Sequence, residues 1–447
     1  MFRAGTIVTI AEKTAYGYVK NYFEDKDIRA LEIERLVQKI VGVKRTSGQH
    51  PGGVMICPKS KDIFDFTPIQ YPADDAKSGV ITTHFDYNFI HGKILKLDIL
   101  GHDGPTIIRM LEDITGLDST TIPLNDKNTL SLFSTSEALN LDENIFNTPT
   151  GTLGIPEFGT GFVKQMLLET KPKSFSELVR ISGLSHGTDV WTNNAQDLVK
   201  EGKATLSNVI STREDIMLYL IRAGAENKIA FDTMERVRKG RGLTDEQKEV
   251  IKTLDLPDWY IESCQKIKYM FPKAHAVAYV MLSFRIAYYK LNYPLAFYAT
   301  YFTNKLQDFD GELIIQGVEA VKLKVDSLKN SDEKLSVKEK SQLNILELVL
   351  EMFSRGFEFK NADLYKSDSF RFKVDGDKIL FPIRAYVGIG EQVANNIVEA
   401  SKEKEYLSIE DFMNKTKATK SVVDILKRNG VLNNLPDSNQ LSLFNMI

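Results

Sequence analysis

Gly79 to Thr106 reads GVITTHFDYNFIHGKILKLDILGHDGPT, and the run from Ile94 to Leu100 inside it decides the fold. Aliphatic and β-branched residues dominate that run and glycines bound it at Gly92 and Gly101, so it is expected to form a buried strand. Asp98 then falls in the middle of an apolar strand, where a carboxylate is costly unless it is paired, hydrogen-bonded or bound to a metal. Lys96 lies two residues earlier, and strand alternation puts its ammonium on the same face. Two uses fit: a structural Lys–Asp ion pair, or two charges that flank a phosphate beside a metal ion.

With 447 residues the chain is long enough for two to four domains and a sizeable core. The hydrophobic share of 43% and charged share of 26% are ordinary for a globular protein. A net charge of −3 excludes a polycation, so any nucleic-acid binding must come from local basic patches. The 2 cysteines, Cys57 and Cys264, form no C-x-x-C spacing, which leaves no disulfide framework or cysteine zinc site. No signal-peptide pattern opens the sequence, and the apolar stretch from Ala276 is too short to span a bilayer before Arg285. A cytoplasmic protein without membrane contact is expected.

Helical spacing is expected over Ala11–Tyr22 and again over Ile28–Ile40. Gly48, Pro51, Gly52 and Gly53 mark a loop with Arg45, Ser47 and His50 as exposed candidates, followed by a strand over Val54–Cys57. Beyond about Leu117 the character shifts to helices joined by polar turns. Thr212 to Asp215 matches a Ser/Thr-x-x-acid cap and carries Arg213 in the first turn of the next helix, where a guanidinium beside free N–H groups suits a triphosphate. RVRKGRGL concentrates Arg236, Arg238, Lys239 and Arg241, either a solvated helix end or a nucleic-acid contact. Lys273 and His275 are the odd residues at the entry of a long apolar segment that Pro294 breaks.

Farther on, the period becomes two around a turn at Asp375 and Gly376. Gly388 and Gly390, followed by Val393, Ala394 and Ile397, match the turn and second helix of a helix-hairpin-helix unit, which binds phosphate through backbone N–H groups. The end carries Gln440, Leu441, Leu443 and Phe444, apolar residues that gain nothing in a solvated tail unless they dock.

KLDILGHDGPT, TSGQHPGGVMI at Thr46–Ile56 and FPKAHAVAYV at Phe271–Val280 resemble the bacterial C-family replicative DNA polymerases, above all the PolC type. The motifs occur in family order over essentially the whole chain. The resemblance implies an α+β, predominantly helical fold with distal palm at 1–116, fingers at 117–310, a duplex-DNA-binding region at 311–436 with a helix-hairpin-helix at about 382–432, and a sliding-clamp-binding tail at 437–447. It implies that Asp98 is the third of three palm carboxylates holding the catalytic Mg2+ ions. Arg45 and His50 would position primer or phosphate beside Lys96. Arg213, the RVRKGRG patch, Lys273 and His275 would neutralise triphosphate and template charge, and Gln440, Leu441, Leu443 and Phe444 would fill a pocket on the clamp.

The implied reaction is DNA-directed nucleotidyl transfer from dNTP to a primer, with primer-template DNA, the clamp and other replisome subunits as partners. The family also needs an Asp-x-Asp pair, and none stands upstream of Phe2. Asp308 and Asp310 have the spacing but lie in a polar inter-helix segment. The expectation is that this chain alone binds DNA and clamp without polymerising, unless an upstream polypeptide completes the palm. The rival expectation is a non-catalytic DNA and clamp adaptor that keeps the architecture.

Overall fold

The computed structural model describes residues 2–23, 28–90, 92–99, 101–331, 333–403 and 405–438. It divides into two compact units, Met1–His102 and Asp103–Ile447. Leu111 of the helix Asp103–Thr115 is buried in the core of the second unit.

The first unit runs β1 (Phe2–Thr9), α1 (Glu12–Tyr22), α2 (Ala30–Ile40), β2 (Lys44–Ile56), β3 (Ile69–Gln70), β4 (Thr82–Thr83), α3 (Tyr87–Ile90) and β5 (Leu95–Asp98). Its sheet has the order β3-β4-β1-β2-β5, with β2 antiparallel to both β1 and β5. Two sequence expectations change here. The Gly/Pro segment is part of the 13-residue strand β2 rather than a loop. Pairing with β1 jumps from Arg3↔Val54 to Gly5↔Gln49, so His50, Pro51, Gly52 and Gly53 lie in a bulge opposite Ala4. Proline is tolerated where the ladder is interrupted.

The run expected to be a buried strand is instead the edge strand β5, with Leu95, Leu97 and Ile99 exposed by 65%, 49% and 56%. Asp98 closes that strand instead of lying in its middle. Close approach explains two of the glycines. A Cβ on Gly5 would lie 1.9 Å from the Thr83 carbonyl oxygen, and one on Gly53 would meet Lys96 Cε at 2.7 Å and Ala4 Cβ at 2.8 Å.

The second unit is mostly helical: α4 (Asp103–Thr115), α5 (Lys127–Ser131), α6 (Gly161–Thr170), α7 (Phe175–His186), α8 (Gln196–Lys200), α9 (Arg213–Arg222), α10 (Asn227–Val237), α11 (Asp245–Lys252), α12 (Trp259–Lys266), α13 (Lys273–Asn292), α14 (Pro294–Asn304), α15 (Gly311–Ile314), α16 (Val318–Lys329) and α17 (Val337–Ser354). A small sheet of β6 (Glu358–Lys360), β7 (Lys373–Asp375) and β8 (Lys378–Leu380) precedes α18 (Glu391–Glu403), α19 (Ile409–Thr416) and α20 (Lys420–Arg428). The α+β, predominantly helical class expected from the sequence holds.

Capping boxes at Thr212 and Thr244 start α9 and α11 as read from their spacing, and Pro294 separates α13 from α14. The 20-residue α13 joins two apolar clusters, with Phe284 and Ala287 in one and Ile286 and Tyr289 in the other. Lys290 is fully buried in that helix. Its Nζ donates to the carbonyls of Gly151 at 2.8 Å and Leu153 at 2.7 Å and bonds Glu351 of α17 at 2.9 Å, which ties the glycine-rich turn before α6 to both helices.

Candidate functional site

In the first unit the β2 bulge and the end of β5 build one cluster. Asp98 pairs with Gly53 across the ladder and leaves its carboxylate half exposed. Lys96 Nζ lies 3.1 Å from Asp98 Oδ1, as same-face alternation requires, and 3.9 Å above the Tyr87 ring. His50 Nδ1 is 3.6 Å from the same oxygen, packed edge-on against Tyr87. The Gly52 N–H points at that Nδ1 from 3.3 Å, so the nitrogen is an acceptor and its closeness to Asp98 is proximity rather than an ion pair. Arg45 does not join them. From Arg45 to Gly53 the strand runs roughly 25 Å at about 3.3 Å per residue, and the guanidinium lies over Tyr18 at 5.6 Å.

A carboxylate oxygen open to solvent suits a hard divalent ion, and the lysine ammonium beside it suits a phosphate. One carboxylate supplies one ligand. Among the described residues no group of three or more His, Cys, Asp and Glu could hold a metal ion. Asp308 and Asp310 serve the fold: Asp308 accepts from Ser341 Oγ at 2.5 Å, and Asp310 caps α15 through the Leu313 N–H at 3.1 Å.

In the second unit the segment before α13 gathers most of the other candidates. The Arg213 N–H donates to the Phe271 carbonyl at 3.3 Å, and the Met270 N–H donates to the Arg238 carbonyl at 3.3 Å. Glu214 ties two helix starts together, accepting from Arg213 Nε at 2.9 Å and from the Lys273 N–H at 2.7 Å. His275 stacks between Phe271, with centroids 4.8 Å apart, and Tyr279 at 4.3 Å. His186 adds a second imidazole 6.1 Å from His275. It bonds Glu157 at 2.6 Å and the Ser182 carbonyl at 2.7 Å, and the Glu157 hydrogen bond raises its pKa above the usual 6.5.

The basic turn is less positive than its letters. Arg238 donates to Glu235 at 2.8 Å, and Lys239 lies 3.0 Å from the same carboxylate. Hydrogen bonding from Arg238, with Lys239 behind it, holds the Glu235 carboxyl down at about 2. Arg236 turns back toward the Arg241 carbonyl at 3.4 Å.

At the helix-hairpin-helix, Gly388 has φ +100° and lies so close to α20 that a Cβ would meet Ile425 Cδ1 at 3.0 Å. Gly390 directly precedes α18, whose first-turn N–H groups have no intrahelical acceptors. Lys415, Lys427 and Arg428 are paired with Asp411, Asp437 and Glu312. Gln440, Leu441, Leu443 and Phe444 lie outside the described residues.

Residues 4–101 match the family described as the bacterial DNA polymerase III alpha NTPase domain, and residues 104–254 the bacterial DNA polymerase III alpha subunit finger domain. Residues 356–441 match a helix-hairpin-helix motif. Over 446 residues, 99% of this chain, it is 56% identical to DNA polymerase III PolC-type of Caldanaerobacter subterraneus subsp. tengcongensis, covering 32% of that protein. The PolC-type enzymes of Clostridium perfringens and Thermotoga maritima are 53% and 52% identical over the same share of this chain. The chain belongs to the PolC-type DNA polymerase III family. It spans about a third of the length of these curated relatives, 31–33%.

In this PolC-type chain Asp98, Lys96, His50 and Arg45 fall within the first match, Arg213 and the basic turn within the finger match, and Gly388 and Gly390 within the last. Sequence reasoning passed over Arg180, Tyr219 and Arg222, which share a cleft with Lys273. It also missed the Lys290–Glu351 pair. A lone lysine in the most apolar helix was the available signal for that pair; nothing local marked the cleft.

Proposed function

We propose that this chain is the part of a PolC-type replicative DNA polymerase that receives dNTP, template and product duplex, and that it contributes one metal-holding carboxylate, Asp98. The observation that carries this is the bulge in β2, which gathers His50, Lys96 and a solvent-open Asp98 at one point of an edge strand. Residues 1–116 act as distal palm, 117–310 as fingers, 311–436 as the duplex-binding region and 437–447 as the clamp-binding tail through Gln440, Leu441, Leu443 and Phe444. The helix-hairpin-helix holds the duplex backbone, and work in the cytoplasm alongside other replisome subunits follows from the role. Among the described residues no helix is long and apolar enough to cross a membrane.

Bound Mg2+ would activate the primer hydroxyl and offset charge on the leaving pyrophosphate. Asp98 offers that ion a hard oxygen ligand, and Lys96 orients the carboxylate from 3.1 Å. Arg213 and Lys273, fastened to one another through Glu214, present positive charge where a triphosphate needs it. Among the described residues no group of three or more His, Cys, Asp and Glu completes a metal site with Asp98. The 447-residue chain therefore binds primer-template DNA and does not extend it. Anisotropy with a labelled primer-template alongside a primer-extension assay tests this. Binding without incorporation is expected, and vigorous incorporation by the isolated chain overturns it.

A further inference from the structure

Helix α9 turns Asp215, Leu218, Tyr219 and Arg222, spaced at helical intervals, onto a cleft of about 330 Å³. At about 100° per residue Arg213 faces away from this stripe. Arg180 of α7, the Leu256-Pro257 turn before α12 and Lys273 at the start of α13 form the other walls. Three cations thus converge from three helices. Arg180 is held in place by the Val209 carbonyl at 3.0 Å and by Asp215 at 3.7 Å. Arg222 and Lys273 are exposed.

Asp215 and Asp255 also line the cleft, so three cations face two carboxylates and the balance is positive; Asp215 orients Arg180 while it accepts from Ser211 N and Oγ and from Thr212 N. Asp255 is exposed. Tyr219 donates its hydroxyl proton to the Asn208 carbonyl, and its ring packs against Trp259 and Tyr260, which makes it a fixed aromatic wall.

We propose that this cleft is a second nucleotide-phosphate site, on the side of α9 away from Arg213 and meeting the triphosphate contacts at Lys273. Arg180, Arg222 and Lys273 grip the phosphate, and Tyr219, Leu256 and Pro257 take the flat base. The volume matches the lower end of ligand pockets, about 300 Å³. The phosphate belongs either to an unpaired nucleotide of single-stranded DNA or to a free nucleotide; the inference rests on the polymerase reading only for the choice of DNA as probe.

The test titrates the 447-residue chain into 5′-fluorescein-labelled oligo-dT over a salt series, with dTMP binding followed by calorimetry. Arg222→Gln is compared with Arg213→Gln, and circular dichroism verifies that both are folded. Arg222→Gln is expected to weaken oligo-dT binding roughly tenfold and to reduce the salt slope by about 0.7. Loss of dTMP binding with oligo-dT unchanged also supports the site and assigns it to free nucleotide. If Arg222→Gln alters neither ligand, the cleft is overturned; loss confined to Arg213→Gln does the same while leaving the proposed function standing.

Discussion

Replacing Lys290 by methionine keeps the length of the side chain and removes its charge with all three N–H donors. The consequences can be counted. The Gly151 and Leu153 carbonyls lose their 2.8 Å and 2.7 Å partners. Glu351, with no exposed surface, keeps the Tyr298 hydroxyl at 2.8 Å as its hydrogen-bond donor. A buried carboxylate stripped of its cation costs about 3–5 kcal/mol, and the freed carbonyls overlap with that cost rather than adding to it in full. A loss of about 4 kcal/mol lowers the melting temperature by roughly 6 °C in a unit that runs from Asp103 to Ile447, at about 2 cal/mol/K of unfolding entropy per residue.

Burial holds the Lys290 ammonium down at about 8 in spite of the carboxylate beside it, so desolvation outweighs attraction in this pair. Removing both charges in a Lys290→Met/Glu351→Met double variant is therefore expected to recover at least half of the loss. Calorimetric melting of the wild type, both singles and the double gives the cycle. A Lys290→Met melt within about 2 °C of wild type, or a double variant as damaged as the single, refutes the reasoning.

His186 makes stability depend on pH. Its folded pKa is raised above 6.5 by Glu157, so its contribution is fully present below 6.5 and is lost as pH rises through the folded value. The melting-temperature gap between wild type and His186→Gln is expected to be widest near pH 6 and to close in alkaline buffer; a gap that ignores pH contradicts the pairing. Gly53→Ala forces a Cβ against Lys96 Cε at 2.7 Å and His50 Nδ1 at 3.0 Å. The first unit should lose about 1–3 kcal/mol in denaturant titration, and an unchanged midpoint rules out the close approach.

What the sequence disclosed was whatever is encoded locally. Thr212 with Asp215 and Thr244 with Gln247 close capping boxes within one helical turn, and Gly376 turns a hairpin between adjacent strands. The Lys96–Asp98 contact follows from alternation alone. The errors come from tertiary context. Glycine and proline from Gly48 to Gly53 look like a loop, yet Gly48 lies against Thr6 and Gly53 against Lys96 and Ala4 within a strand. The apolar run around Asp98 shows that the strand favours a cover, not that one is present, and it lies at a sheet edge. The basic turn was read without Glu235, although the i,i+3 and i,i+4 spacing to Arg238 and Lys239 predicts their pairing. Arg180, Arg222 and Lys273 come from separate helices, and only the packing of α7, α9 and α13 brings them together.

The most direct measurement is primer extension by the chain joined to the remainder of a PolC-type relative, comparing Asp98 with Asp98→Asn at matched DNA affinity. The amide keeps the shape and the Lys96 neighbour but removes the charge proposed to hold a metal ion; on that proposal the loss is several kcal/mol in the transition state, or about a thousandfold in rate. A fall of that size with DNA binding intact is the expected result. Nucleotide incorporation within tenfold of the parent would contradict the role given to Asp98.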